Sequence, residues 1–306
     1  MKPGWVAGSV RARLLANRCL GGPGTREVAA AGSLRDAVSL VAASPYRRDV
    51  DDEMTLVDAE RGVRSTALWH LRVLAGWLPP GGSDIVRVVA AGYEIANIEA
   101  HVDALAGGPD EVPFALGSLA MIQQRARSAL SVADLRAALA SSQWGDPGTG
   151  ERAAISAALR LAWARRISDR IPELRRPAAA AAAVVVASER FGIGRELSAP
   201  AAVDARRLLG ASWAATDFAS FVQSVPADAR WVFSDVDDEQ SLWRAETTWW
   251  RRLQDDATRS VGRASTGEAV VAWSAALLLA DAQRVCAALE AAAWGPIGLE
   301  VFDAVA

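Results

Sequence analysis

One short acidic segment occurs twice in this chain of 306 residues. Asp49-Val-Asp-Asp-Glu53 returns as Asp235-Val-Asp-Asp-Glu239, and each copy is followed by Leu-x-x-Ala-Glu, at Leu56 to Glu60 and at Leu242 to Glu246. An ungapped match of this length constrains the fold, because a chain that repeats itself builds one structural unit more than once. The repeat therefore indicates a repeated architecture before it indicates a catalytic or binding site.

A serine-led stretch in front of the first acidic segment also recurs. Ser33 to Tyr46 aligns without gaps with Ser131 to Trp144, and both end on an aromatic residue. The other matched pairs are Ser33/Ser131, Asp36/Asp134, Ala42/Ala140 and Ser44/Ser142. A third version starts at Asp217, which we place on Asp36 because Asp217 and Pro226 are spaced like Asp36 and Pro45.

Three further segments have an acidic residue four positions before a β-branched one. They are Tyr93-Glu-Ile-Ala-Asn-Ile98, Ser188-Glu-Arg-Phe-Gly-Ile193 and Ala280-Asp-Ala-Gln-Arg-Val285. Alone, such a pattern is common by chance, but here it follows the other repeats in the same order. The sequence thus predicts an internal triplication, with helical units at 1–112, 113–205 and 206–306.

The predicted fold class is all-α, with three similar helical units. Alanine, leucine and arginine are frequent, and the Asn-Gly and Asp-Gly pairs of tight hairpins are absent. Apolar residues recur every three to four positions from Leu56 to Leu78, and Pro79-Pro-Gly-Gly82 ends that helix. The middle copy of this long helix runs from Glu151 to Ile171 and ends at Pro172, and the third copy starts at Leu242.

Reactive side chains are scarce, which argues against several classes of function. The net charge of -3 argues against a nucleic-acid phosphate footprint, and Lys2 is the only lysine, which argues against a phosphate-loop NTPase or a Schiff-base enzyme. His70 and His101 are the only histidines, and we expect satisfied or surface positions for both. Cys19 and Cys286 are expected to be isolated core thiols rather than a disulfide or a zinc site.

Neither a signal peptide nor a membrane-spanning helix is expected. The longest apolar run that we identified, Ala178 to Ala187, is about half the length that a bilayer core requires. We therefore expect a cytoplasmic protein, which leaves a peripheral position on a membrane complex open.

The acidic segments suggest one enzymatic alternative. All-α isoprenoid synthases hold magnesium diphosphate with Asp-Asp-x-x-Asp, and Asp51-Asp-Glu-Met-Thr55 and Asp237-Asp-Glu-Gln-Ser241 are similar to it. Both lack the last carboxylate, where Thr55 and Ser241 stand. Acidic residues at a helix N-terminus, where free N–H groups favour negative charge, are the preferred interpretation. An all-α enzyme using Mg²⁺ is kept as a less favoured alternative.

The order of these segments resembles a known family, the C-type subunits of V-type and A-type ATP synthases, whose counterpart in eukaryotic V-ATPases is the d-type subunit. The resemblance lies in the aromatic and Arg-x-Arg start Trp5 to Leu15, in Ser33-Leu34 with Ser44-Pro45-Tyr46, and in Tyr93 to Ile98. Glu268 to Leu289 is similar to the family's C-terminal closing helix. The resemblance covers essentially the whole chain. It rests on the order and spacing of these segments rather than on any one residue.

The sequence departs from the family pattern at several positions. Gly192 and Arg284 stand where the family often has asparagine, Ser44 stands for threonine, and arginine replaces lysine throughout. None of these positions bears on catalysis, because the family is non-catalytic. These departures affect how many of the family's individual residue contacts can be expected in this chain.

The resemblance implies a funnel of three helical units that acts without a catalytic residue, cofactor or metal. Its role would be a socket joining the central shaft (D-type and F-type subunits) to the membrane proteolipid ring, coupling torque to ion transport. Aromatic residues and arginine are enriched at contact centres, so the expected interface residues are Arg11, Arg13, Trp249, Trp250, Arg251 and Arg252. For any one of them, a core tryptophan or a solvated arginine is the alternative. A general helical-repeat scaffold is the alternative function.

Overall fold

Every regular element in the described part of the chain is helical. The computed structural model describes residues 3–263 and 266–305. The α-helices there are α1 (Pro3–Ala16), α2 (Gly21–Ala29), α3 (Leu34–Ala42), α4 (Leu56–Gly76), α5 (Pro80–Leu105), α6 (Gln123–Arg127), α7 (Val132–Ala140), α8 (Arg152–Arg170), α9 (Arg175–Ala187), α10 (Ala199–Leu209), α11 (Phe218–Ser224), α12 (Ala227–Arg230), α13 (Trp243–Arg263), α14 (Glu268–Trp294) and α15 (Pro296–Val305). The prediction of an all-α fold is confirmed.

The helices divide into two compact units. The terminal unit combines the chain up to Val86 with the chain from Trp250 onward, and the central unit runs from Arg87 to Trp249. Both boundaries fall inside long helices, α5 and α13. Compactness and repetition are different properties, so the division into 1–112, 113–205 and 206–306 stays a prediction.

The terminal unit has α14 at its centre. Val285, Cys286 and Leu289 of α14 share one core cluster with Val38 of α3 and Val63 of α4. Apolar residues on all sides of a helix are expected when it is buried all round. This arrangement makes α14 the element on which the other helices of the unit pack.

By length and composition α14 could also cross a bilayer. However, 78% of the apolar window is buried inside the structure, which is the usual situation of a core helix. Because length and composition alone are weak evidence, the expectation of no membrane-spanning helix stays a prediction.

The central unit contains two clusters of buried side chains. In one, Ile95 and Ile98 of α5 lie with Leu135 of α7 and Leu159 of α8. The other surrounds α9, where Ala179, Ala180, Ala182 and Ala183 are buried together with aromatic residues of α11. Small methyl side chains let α8 and α9 approach closely.

Helix ends follow the breakers and caps that the sequence contains. α4 begins at Leu56 after the N-cap Thr55 and ends at Gly76, before Pro79. α8 spans Arg152–Arg170 and is bounded by Glu151 and Ile171, as predicted. Proline lacks the backbone donor that would continue a helix, which is why the predicted stops are correct.

The alignment of the third short helix is wrong by three residues. Ser33 caps α3 and Ser131 caps α7, each accepting a hydrogen bond from the backbone N–H of an aspartate at the third helical position. Asp217 caps α11 in the same way and accepts from Ser220 N. Asp217 therefore corresponds to Ser33 and Ser131 rather than to Asp36, because serine and aspartate have exchanged places in this copy.

Candidate functional site

A fully buried carboxylate on α14 ties together distant parts of the terminal unit. Asp281 is 0% exposed and accepts hydrogen bonds from Leu20 N at 3.0 Å and Gly21 N at 2.8 Å. It also accepts one from the Tyr46 hydroxyl at 2.7 Å. Burial raises the pKa of Asp281, while the bonds from Tyr46, Gly21 and Leu20 lower it. The carboxylate thus holds the N-terminus of α2 and the end of the segment after α3.

A second buried carboxylate, on α5, does the same in the central unit. Glu94 is 0% exposed, and its Oε1 accepts from the backbone N–H groups that open α6. The three donors are Met121 N at 2.8 Å, Ile122 N at 2.8 Å and Gln123 N at 3.0 Å. Its Oε2 accepts from Trp144 Nε1 at 2.8 Å. Free N–H groups at a helix start are natural partners for a carboxylate.

The two carboxylates have equivalent surroundings. The aromatic partner of each follows a serine-capped short helix, and its own backbone N–H donates to a serine two positions earlier, Ser44 before Tyr46 and Ser142 before Trp144. In the sequence alignment, Asp281 is matched with Glu94, and Tyr46 is matched with Trp144. The alignment did not show that acid and aromatic meet, because no local pattern records a contact across such separations. We call each arrangement a carboxylate clamp.

The third acidic residue of the series makes different contacts. Glu189 lies in a π-helical turn, Ser188–Gly192, and pairs with Arg195 at 2.9 Å. Its neighbour Arg190 instead donates to the carbonyl oxygens of Trp213 and Ala215. A cation faces carbonyl groups here, where a carboxylate faces N–H groups in the two clamps. The matched sequence position is therefore not matched in chemistry.

Asn97 of α5 bonds to a loop rather than to a neighbouring helix. Its side chain makes a two-way hydrogen bond with the loop residue Phe114, donating from Nδ2 at 2.9 Å and accepting at Oδ1 at 2.7 Å. The amide therefore fixes the loop that leads from α5 to α6.

The predicted interface arginines of α1 are half-buried. The Arg11 guanidinium lies over the Trp77 ring, 5.7 Å from the ring centroid, and its Nε is buried without a hydrogen-bond partner in the described chain. Arg13 is also half-buried, so neither side chain is fully presented to solvent.

The other four predicted interface residues do not form one surface. Trp249 donates from Nε1 to Pro177 O at 2.8 Å and packs against the core of the central unit. In the terminal unit, Trp250 is half-buried, Arg251 is exposed and Arg252 pairs with Asp256 at 3.2 Å. Consecutive helical residues point about 100° apart, so four in a row cannot share a face. Their role as an interface stays a prediction, with Arg251 the most accessible of them.

The acidic segments have local backbone roles. Asp51 Oδ1 accepts from Glu53 N at 3.1 Å in the turn before α4, and Asp238 Oδ1 accepts from Ser241 N at 2.9 Å before α13. α4 begins at Leu56 after the N-cap Thr55, and Asp238 caps the turn Glu239–Ser241 that precedes α13, so both segments lie shortly before a long helix. Within 3–263 and 266–305, no group of three His, Cys, Asp or Glu residues is placed to hold a metal ion.

The cysteines and histidines take different positions. Cys286 is buried, Cys19 is half-buried, and both are free thiols; burial raises the pKa of Cys286 to about 12. His101 Nε2 lies 3.0 Å from Ala129 O and is satisfied. His70 is buried, but its Nδ1 has no hydrogen-bond partner in the described chain, which departs from the expectation.

One groove of about 660 Å³ lies on the terminal unit. It is lined by Gly22, Pro23, Arg26, Glu27, Ala30, Arg284, Phe302 and Asp303. Arg26 and Asp303 pair across it at 2.8 Å, and Arg284 lies over the Phe302 ring at 5.8 Å. The lining charges balance, so the groove does not favour an ion of either sign.

No protein-family model matches this chain, and no curated protein is significantly similar to it.

Proposed function

We propose that this chain is a triplicated, non-catalytic connector of a rotary V-type or A-type ATPase, a socket between the soluble rotor shaft and the membrane proteolipid ring. The observation that carries the proposal is the recurrence of the carboxylate clamp. The funnel arrangement and the three units 1–112, 113–205 and 206–306 are part of the proposal.

The clamps support a cyclic order of the three proposed units. Glu94 belongs to the first proposed unit and holds Met121 to Trp144 of the second. Asp281 belongs to the third and holds Leu20 to Tyr46 of the first. These contacts connect the first proposed unit to the second, and the third proposed unit to the first.

The remaining link runs from the second proposed unit to the third. Arg190 holds the carbonyl groups of Trp213 and Ala215, and Phe191 packs edge-on against Phe218, 5.9 Å between ring centroids. With this link the order of contacts closes on itself, which is what a triplicated ring requires. A linear repeat array would leave its first and last units without each other as partners.

The clamps also suit a mechanical role. Bonds between a carboxylate and backbone N–H groups are charge-assisted and directional, so they resist sliding better than apolar contacts do. A buried carboxylate bound to several donors is strongly destabilised by any shift that breaks one of them. A part that passes torque needs this resistance at each junction.

The proposal is tested by affinity capture with the purified folded chain as bait. The shaft subunits and the detergent-solubilised proteolipid ring of the same organism's rotary ATPase are expected to bind at separate sites and together. Arg251→Ala is the interface variant, and Arg35→Ala, at an exposed arginine on α3, is the matched control. Clean failure to bind both partners, with a native circular dichroism spectrum, would refute the connector.

A general helical-repeat scaffold is the alternative that this experiment separates. It would keep both clamps and its full stability while binding neither the shaft nor the ring. The neighbouring genes give an independent readout, because a connector gene is expected among those of the other ATPase subunits.

A further inference from the structure

Helix α1 of the terminal unit packs against the short segment that follows α4. A Cβ atom added at Gly8 would come within 2.2 Å of Leu78 Cδ2, so the backbone of α1 closely approaches the segment after α4. One turn further along α1, the Arg11 guanidinium lies over the Trp77 ring. Gly4, Gly8 and Arg11 of α1 thus lie against Pro79, Leu78 and Trp77 in turn.

Arginines from three segments surround His70. Arg18 lies in the turn just after α1, and its charge, like those of Arg11 and Arg48, acts on the His70 imidazole. From the segment after α3, the Arg48 guanidinium lies 4.4 Å from the centroid of the Trp69 ring, and that ring meets the His70 ring edge-on at 5.0 Å. Arg18 and Arg48 are exposed, so the cluster is open to solvent.

Two nitrogen atoms in this cluster are buried without a hydrogen-bond partner in the described chain. They are Nδ1 of His70, a side chain only 7% exposed, and Nε of Arg11. Buried polar atoms are nearly always paired, so each of these two nitrogen atoms calls for a partner outside the described chain, such as a ligand oxygen.

The charges around His70 are predominantly positive. Burial, together with the charges of Arg18, Arg11 and Arg48, lowers the pKa of His70 to about 4, while only Asp49 acts to raise it. Asp49 is itself engaged, since its Oδ2 accepts from Thr66 Oγ1 at 3.0 Å and lies 3.3 Å from Arg48 Nε. The charged groups that act on His70 are thus three guanidinium groups and one carboxylate, which Arg48 already engages.

We propose that Arg11, Arg18 and Arg48, with the His70 imidazole among them, form a binding site for a phosphate-type oxyanion. The planar donor fork of arginine matches the oxygen spacing of phosphate. A bound anion would also favour the protonated imidazole, whose two N–H groups can both donate. Oxyanion binding and protonation of His70 are therefore linked, and neither depends on the rotary role proposed above.

Nuclear magnetic resonance tests the site directly, because the chain has only two histidines. The full-length protein, labelled at histidine, is titrated with inorganic phosphate at constant pH and ionic strength, with chloride as the balancing anion. The His70 ring signals are expected to shift saturably and the pKa of His70 to rise. His101, bonded to Ala129 O in the central unit, is the internal control and should not respond.

Variants assign the response to the cluster. Arg18→Gln and Arg48→Gln change exposed side chains and are each expected to weaken phosphate affinity about tenfold. Arg35→Gln, at another exposed arginine of the terminal unit, should leave it unchanged.

A second arm identifies the source of the oxyanion. Flotation with phosphatidylglycerol vesicles, compared with phosphatidylcholine vesicles, asks whether a lipid headgroup supplies it, and binding that Arg18→Gln abolishes would support that source. The proposal is overturned if neither phosphate nor these vesicles produce a saturable effect, or if Arg18→Gln and Arg48→Gln bind as tightly as the parent chain.

Discussion

At the scale of single residues, the two buried carboxylates are the strongest constraint on side-chain identity. Asp281 and Glu94 each accept from several donors while being shielded from water. An ionised carboxylate offers acceptors only, which is what a set of N–H and O–H donors needs. We expect neutral or shorter replacements to fail at both positions.

The Asp281 clamp predicts an asymmetric mutant series. Asp281→Ala leaves Leu20 N, Gly21 N and the Tyr46 hydroxyl without their acceptor and should lower the free energy of unfolding by about 3 kcal/mol or more. Tyr46→Phe removes a single donor and should cost about 1–2 kcal/mol. Urea denaturation measures both. A loss for Asp281→Ala no larger than that for Tyr46→Phe would contradict the clamp.

A close backbone approach at Gly62 gives a second residue-scale prediction. A Cβ atom there would come within 2.1 Å of Asp49 O, so Gly62→Ala must push the preceding loop off α4 and should cost about 1–3 kcal/mol. Gly76, in the same helix, has nothing within 4 Å of its added Cβ. Gly76→Ala should therefore be neutral or stabilise by up to about 1 kcal/mol. Chemical denaturation should show a lower free energy of unfolding for Gly62→Ala and an equal or higher one for Gly76→Ala.

At the scale of helices, the short capped elements carry the clearest repeat. α3 and α7 start with serine and have aspartate three positions later, whereas α11 starts with aspartate and has serine there. Both orders allow the same reciprocal bonding, because each residue type can accept from a backbone N–H. The N-terminal cap of the short helix is thus retained although serine and aspartate have exchanged positions.

This exchange predicts that the α11 cap can be reversed. The double variant Asp217→Ser/Ser220→Asp recreates the order of α3 and α7 and should keep the melting temperature of the parent chain. Asp217→Ala should lower it, because the N–H of Ser220 loses its acceptor. Differential scanning calorimetry compares them. Equal melting temperatures for Asp217→Ala and the parent would show that the cap has no role.

At the scale of the whole molecule, stability should depend on pH through Glu60. Burial, together with a hydrogen bond to Glu290, raises the pKa of Glu60 to about 7, while the charge of Arg64 acts to lower it. The protonated form is thus favoured by folding. Its contribution is complete below the ordinary pKa of about 4.5 and is lost as the pH rises through about 7.

Glu60→Gln should remove this dependence. The variant should match the parent near pH 4.5 and become more stable than it by pH 8, because the amide has no proton to lose. Denaturation curves across this range measure the difference. Glu53→Gln, at an exposed position, is the control and should follow the parent at every pH. A constant difference between Glu60→Gln and the parent would contradict the assignment.

The terminal unit is assembled from both ends of the chain, which predicts the effect of truncation. A chain ending at Arg263 lacks α14, and with it Val285, Cys286 and Leu289 of the shared core. The amide groups of α3 and α4 should then lose their protection from hydrogen exchange, while those of α8 and α9 in the central unit should keep theirs. Protected α3 and α4 in the truncated chain would refute this dependence on α14.

The sequence by itself determined the all-α class, the approximate bounds of the long helices α4 and α8, and the places of the repeated segments. These follow from local signals, since the proline stops after α4 and α8 and the serine caps of α3 and α7 act within a few residues. The same local reading placed Asp217 three residues out of register, because it matched identical letters rather than equivalent hydrogen bonds.

Only the tertiary structure decided which side chains meet. Asp281 joins Leu20 and Tyr46 through contacts that no periodicity records, and the predicted interface residues Trp249 to Arg252 diverge because neighbouring helical positions point in different directions. The cluster of arginines around His70 likewise depends on how α1 packs on α4. Helix formation is governed by near neighbours, whereas a binding site is formed by residues far apart in the chain that packing brings together.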